Sequence, residues 1–265
     1  MITLDGNELD YFDLICESQS NPMAPDILNK TISISGREGT YFFGTEILSK
    51  PFEFTISTMQ YDKLILQEKL RTFIAFLHDI YGKPRVIKLI FKYEPDKFYV
   101  VRLTSKIDVE RFVTVGRMDV KFEAFDPRAY STVYSDEILW GSEVLNFGSS
   151  YLLGQENSSG ETTVTDPKSI TSYVSGLAIK PIIEITGTAT NLVISANGYS
   201  INLGTFSNVT WVVDCDRYTV LKNGLNGFSS VNLREFILFP GTNTVAINGS
   251  NINLKINVKY RDKYL

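Results

Sequence analysis

From Met118 to Ala124 the residues alternate, with Met118, Val120, Phe122 and Ala124 apolar and Asp119, Lys121 and Glu123 charged. Period two marks a strand with one face on a core and the other in water. Asp126-Pro127 then ends it, because proline has no amide hydrogen for a ladder and pushes the residue before it out of the helical region. This strand and its stop constrain the chain more than any other stretch. Ahead of them the sequence carries one convincing helix; beyond them it carries none. A boundary near Tyr130 follows, dividing the chain into domains 1–130 and 131–265. At 265 residues there is room for two cores of roughly 100 to 150 residues each.

The helix of the first domain is expected over 61–81. Leu66, Leu70, Phe73, Leu77 and Ile80 recur at steps of four and three residues and form one stripe, with Gly82 and Pro84 as the stop. A stripe of that kind needs a sheet to cover. Val86–Tyr93 and Phe98–Leu103 supply one across a turn at Glu94–Lys97, and Ile107–Val115 and Met118–Phe125 make the next pair. Thr31–Ser35, Tyr41–Phe43 and Phe52–Ser57 are further strand candidates, and Ser18–Lys30, with Pro22 and Pro25, reads as an extended arm or loop. The first domain is therefore a mostly antiparallel β barrel or sheet with one helix packed on it. Tyr41, Phe42 and Phe43 pose a problem within it. In a strand, neighbours alternate faces, so the three rings cannot all point inward. At least one meets a neighbouring subunit or another part of the protomer, which makes these three the candidate subunit-interface residues.

Past the boundary, 141–176 is dominated by Ser, Thr, Gly and Asn and is expected to be a long exposed loop. From Pro181 the strand signals become regular: Ile183–Ile185, Leu192–Ser195, Tyr199–Leu203, Val209–Asp214, Arg217–Leu221, Glu235–Phe239, Thr244–Ile247 and Ile252–Tyr260. Asn197-Gly198, Asn223-Gly224, Asn226-Gly227, Pro240-Gly241 and Asn248-Gly249 read as turns between them. Short strands at this spacing without a helix mean a β sandwich of jelly-roll or related type.

The residues offer little chemistry. A net charge of −4 with no basic run argues against nucleic-acid binding through a basic face. The first residues lack a positive region followed by a long apolar segment, so no signal peptide is expected, and no run approaches a membrane span. Without that signal the four Asn-x-Ser/Thr triplets, beginning at Asn29, Asn157, Asn208 and Asn248, carry no message. Cys16 and Cys215 are too few for a disulfide framework or a cysteine-rich zinc site and read as small buried hydrophobes. His78, the single histidine, falls near the helix C-terminus, where an imidazolium faces the favourable end of the dipole. Asp214 and Asp216 share a strand face and hint at calcium, although carboxylates at a strand end are usually solvated. Trp211 and Tyr199 could stack on a sugar if exposed, but both lie in apolar runs that favour core filling. No phosphate loop, dinucleotide fingerprint, zinc-protease motif or nucleophile elbow is present. The expectation is no catalytic residue, no cofactor and no metal.

Several stretches together resemble the distal tail proteins (Dit) of long-tailed siphophages that infect Gram-positive bacteria. They are the opening ITLDGNELDYFDLICESQ, the proline-containing arm leading to TISISGREG, the junction VKFEAFDPRAY, and the ending FPGTNTVAINGSNINLKINVKYRDKYL. The likeness spans most of the chain and is weakest from Gly141 to Ile179. It implies a non-enzymatic protein of the virion tail tip, with a ring-forming first domain and a galectin-like β sandwich as the second. The partners it implies are five further copies in a hexameric ring, the tail tube protein above, and the tail-associated hub protein below. Receptor-binding proteins would dock outside, and DNA would only pass through the channel. An acidic wall would let that DNA slide. The competing reading is a monomeric carbohydrate-binding or adhesive β-sandwich module.

Overall fold

The alternating stretch that ends at Ala124 lies in the middle of an antiparallel sheet. The computed structural model describes residues 2–111, 115–138, 151–152, 155 and 160–265. They form two units, Met1–Ala129 together with Leu265, and Tyr130–Tyr264. In the first, β1 (Ile2–Leu4), β2 (Asn7–Glu8), β3 (Ile15–Ser20), β4 (Ile27–Ser33), β5 (Thr40–Ile47) and β6 (Lys50–Met59) precede the helix α1 (Lys63–Phe76). After it come β7 (Ile87–Phe91), β8 (Glu94–Leu103), β9 (Val109–Arg111) and β10 (Val115–Ala124).

The main sheet runs in the order β2-β1-β7-β8-β10-β6-β3. Its longest ladder joins β10 to β6, from Val115 opposite Met59 to Ala124 opposite Lys50. The pleat sends Phe52, Phe54 and Ile56 from β6 and Met118, Val120 and Phe122 from β10 into one core. Phe52, Phe54, Phe91, Tyr99 and Phe122 make ring contacts there with centroids 4.9 to 6.2 Å apart. Each such side chain stabilises the fold by roughly 1.5 to 3 kcal/mol through burial. Lys50 is buried beside them. Its ammonium donates to the Tyr99 hydroxyl at 3.0 Å and lies 4.6 Å from the Tyr99 ring centroid. Burial lowers the lysine pKa and pushes the tyrosine up to about 12.

The helix is shorter than the 61–81 expected from periodicity. It starts where the Asp62 carboxylate accepts from the Leu64 amide at 2.7 Å, a cap of about 1 kcal/mol. It ends at Phe76 because Asp79 takes over the backbone. The Asp79 carboxylate accepts from the amides of Tyr81 and Lys83, both at 2.9 Å, and Gly82 turns the chain at φ +75°. Leu66, Leu70, Phe73 and Leu77 are buried as the stripe requires, whereas Ile80 is 91% exposed. His78 donates from Nδ1 to the Ile74 carbonyl at 2.7 Å, finishing the last turn. Two more expectations shift. The turn placed at Glu94–Lys97 falls at Lys92-Tyr93, with Phe91 opposite Glu94. A ladder irregularity between Leu89 and Phe91 relieves Pro95 of any donor duty. Of the strand expected over Ile107–Val115, β9 covers Val109–Arg111 and Val115 opens β10, while 112–114 lie outside the described residues.

The division falls within the short strand β11 (Ala129–Ser131), and the second unit goes on with β12 (Thr162–Val164), β13 (Lys168–Val174), β14 (Ile182–Ala196) and β15 (Tyr199–Asp214). They continue with β16 (Thr219–Lys222), β17 (Leu225–Asn226), β18 (Asn232–Leu233), β19 (Gly241–Lys259) and β20 (Lys263–Tyr264). The sheet order is β12-β19-β14-β15-β16-β17, with β13 on the first half of β19 and β18 on β15. The expected loop at 141–176 is corrected in part. Strands β12 and β13 occupy its second half, where Ile170, Ser172 and Val174 alternate inward behind small polar residues that hide the pattern. Residues 141–150, 153–154 and 156–159 lie outside the described ones.

Pairs of short strands expected on either side of Thr186–Leu192, Leu203–Val209 and Ile247–Ile252 are in fact single long strands. Register shifts between Gly187 and Val193 and positive φ at Asn191, Asn208 and Asn251 bend them without ending them. Ile183 and Ile185 before the bend and Leu192 and Ile194 after it face one hydrophobic core. β15 (Ile201 and Leu203, then Trp211 and Val213) and β19 (Val245 and Ile247, then Leu254 and Ile256) likewise send residues from both halves into that core. Gly187 makes one corner possible: at φ +146° a Cβ would stand 2.3 Å from the Asn253 carbonyl oxygen. Asn197-Gly198 is a true two-residue hairpin, but Asn248-Gly249 lies inside β19.

The chain end is tied back by a buried polar group. The Asp262 amide donates to the Ser131 hydroxyl at 3.0 Å, and its carboxylate accepts from the Ser175 amide at 3.1 Å. Burial pushes that carboxyl up to about 6, against the lowering effect of the Ser175 hydrogen bonds.

Candidate functional site

Strands β4 and β5 form a two-stranded sheet of their own. Their register runs from Ile27 opposite Ile47 to Ser33 opposite Thr40. A bulge separates Lys30–Gly44 from Thr31–Phe42 and leaves Phe43 as the extra residue, with Gly44 at φ +136°. Every residue of β4 is exposed, as is every residue of β5 except Gly44, which is half-buried. Few of those side chains suit water. Tyr41 is 41% exposed, Phe42 64% and Phe43 66%, accompanied by Ile27, Leu28, Ile32 and Ile47.

The register assigns faces to the aromatic run. Tyr41 is opposite Ile32 and shares its face; Phe42 is opposite Thr31 on the other; Phe43 protrudes at the bulge. The hairpin is held locally by the Lys30–Glu46 ion pair, by Thr45 donating to Asn29 at 2.8 Å, and by Arg37 stacking 4.3 Å from the Tyr41 ring. An isolated two-stranded hairpin is at best marginal in water, and this one leaves apolar residues uncovered on both faces and its two edges unpaired. The alternation of Tyr41–Phe43 pointed to this segment; its separation from the main sheet left no sign in the sequence.

The other candidates do different work. Trp211 is fully buried in the second core, edge-on to Phe206 at 5.9 Å, and Tyr199 is half-buried beside Phe239, so the tryptophan offers no platform for a sugar. Asp214 accepts from the amides of Asp216 and Arg217 at 3.0 and 2.9 Å, a turn-forming role. Cys215 is buried, which pushes its thiol up to about 12, and Cys16 is only half-buried, its Sγ donating to the Ser18 carbonyl at 3.4 Å. A cleft of about 550 Å³ beside β10 is lined by Lys106, Asp108, Arg117 and Lys121. Its cations are in ion pairs, Lys106–Asp108 at 2.5 Å, Arg117–Glu17 at 3.2 Å and Lys121–Glu53 at 2.6 Å, and the Asp119 carboxylate on the same wall accepts from the Thr55 hydroxyl at 2.8 Å. Among the described residues no three His, Cys, Asp or Glu side chains converge on a point.

Residues 6–124 match the family model of the phage tail protein RIFT-related domain. The whole chain is similar in fold to the SPP1 Dit (gp 19.1) protein, described as a paradigm of the hub adsorption apparatus in phages infecting Gram-positive bacteria. That likeness has a TM-score of 0.71 at 14% identity, covering 100% of this chain and 98% of the other. A chain of the phage P2 baseplate in its activated, calcium-containing conformation is more distant, with a TM-score of 0.43 at 12% identity over 96% of this chain and 92% of that one. No curated protein matches the sequence.

Proposed function

We propose, from a distal tail protein assignment that the family domain and the whole-chain fold both support, that this chain is a structural, non-enzymatic component of the tail tip of a siphophage virion. In this reading its first unit forms a hexameric ring around the channel, joining the tail tube to the hub below. The second, galectin-like unit is a docking point for host-adsorption proteins. The observation that carries the reading is the β4–β5 hairpin, which emerges from within the phage-tail domain with its apolar residues uncovered. Tyr41, Phe42 and Phe43 are the residues we assign to the contact between subunits. Closed cyclic symmetry is the arrangement in which every such hairpin finds a partner. The net charge of −4 favours a conduit along which DNA slides.

Light scattering and negative-stain images of the full chain test this. A particle of about six copies with a central hole is expected. A monomer at high concentration that retains cell-wall glycan would favour the adhesive-module reading instead.

A further inference from the structure

A ring whose subunits all point the same way round needs two different patches on each subunit, one given and one received. The hairpin is the first. We propose that the second is a groove on the outer face of α1, and that it receives the β4–β5 hairpin of a second copy of this chain; the proposal rests on the ring reading above. The groove encloses about 310 Å³ and is lined by Tyr11, Phe12, Asp13, Ile65, Glu68 and Lys69 among others. Its floor is aromatic, with Phe12 packed on Phe73 and Phe76 at 5.4 and 4.9 Å. Its rim exposes Tyr11 at 75% and Ile65 at 42%.

Three observations select the hairpin as occupant. The first is position. β3 and β6 are antiparallel neighbours, with Ser20 opposite Glu53 and Ile15 opposite Ser57. The hairpin is inserted between the end of β3 and the start of β6, so it leaves the sheet at that edge. The groove is built from residues just before β3 and just after β6, at the opposite edge. The ten residues of β6 separate the two by roughly 30 Å at strand rise. Donor and acceptor at opposite ends of one domain are the geometry of head-to-tail association. The second is vacancy: the exposure of both strands shows that the hairpin does not fill its own groove. The third is charge. Within the groove Asp13 is paired with Lys69 at 2.6 Å, while the exposed Glu68 carboxylate has no cationic partner among the described residues. At the hairpin tip Arg37 stacks on Tyr41 and has no carboxylate partner among the described residues. Apolar groove meets apolar strand, and one unpaired anion meets one unpaired cation.

The test is cross-linking between copies in a Cys16→Ser background. Phe43→Cys protein is mixed with Ile65→Cys protein and treated with a short bis-maleimide, and Leu225→Cys, 76% exposed in the second unit, replaces Ile65→Cys as control. Covalent dimers at several-fold the control yield are expected from the first mixture, and none above control from Phe43→Cys alone, because the interface is heterologous. Arg37→Glu should lower the yield, and Glu68→Arg added to it should restore it. If the wild type forms rings on the grid but the first mixture cross-links no better than the control, the groove is not the acceptor and this inference falls while the ring reading stands. If the wild type stays monomeric at high concentration, the ring reading falls and takes the inference with it.

Discussion

Replacing Asp262 by asparagine isolates one buried charge whose effect on stability has an unusual sign. The side chain is 3% exposed and accepts from the Ser175 amide. The guanidinium next door does not compensate it, because Arg261 stacks on Tyr134 at 3.8 Å and donates to the Ser131 and Thr132 carbonyls. The carboxyl stands at about 6 in the folded chain against an ordinary 3.8. The folded state therefore binds the proton more tightly than the unfolded one. The contribution to stability is complete below pH 3.8 and is lost as pH rises through 6. That difference corresponds to about 3 kcal/mol of stability missing at neutral pH. Asparagine keeps an oxygen for the Ser175 amide and carries no charge. Urea unfolding of wild type and Asp262→Asn, followed from pH 3.5 to 7.5, should give curves that coincide in shape at the acid end. They should then diverge, with the variant more stable at neutral pH by about 3 kcal/mol, or about 1.5 M in midpoint at a slope of about 2 kcal/mol/M. Other carboxylates cancel in the difference. A difference that does not change with pH would refute the argument, since it would mean the carboxyl does not titrate in that window.

Asp62→Ala removes the cap of α1 and should cost about 1 kcal/mol, read as a fall in the urea midpoint of the first unit. Gly187→Ala drives a methyl into the Asn253 carbonyl and strains a positive φ. A loss on the order of 3 kcal/mol is expected in calorimetry of the second unit, and wild-type stability would contradict the role given to that corner. Phe43→Ser alters an exposed side chain, so unfolding should stay within about 0.5 kcal/mol of wild type while the assembled fraction in light scattering drops. Equal assembly by the variant would remove Phe43 from the contact.

The β character of the chain was legible because a half-buried strand writes its burial into alternation, as Met118–Ala124 and Phe52–Ile56 do. The helix stripe was legible for the same reason. Its end was not: Ile80 keeps the spacing, but the Asp79 side chain competes for the amides, and spacing carries no record of that competition. Alternation and turn signals divide the long strands β14, β15 and β19 into six short ones. Asn and Gly mark any positive φ, whether it closes a hairpin, as at Asn197-Gly198, or bends a ladder that continues, as at Asn208 and Asn251. Strand β13 was hidden by the Ser and Thr on its outer face. For the hairpin, neighbour alternation raised Tyr41–Phe43 as a question. Which strands pair with which is a property of tertiary contacts, so the isolation of β4 and β5 had no local signal.

The bends in β14, β15 and β19 also govern how the second unit can fail. Two sheets laid face to face can separate or slip, since each is its own piece of polypeptide. Here three runs of backbone supply the core from both sides of their bends, so freeing one half of such a strand means unzipping the other at its corner. Amide exchange should therefore report a single opening event shared by residues on either side of each corner, such as Ile185 and Ile194. A module built this way yields all at once or not at all.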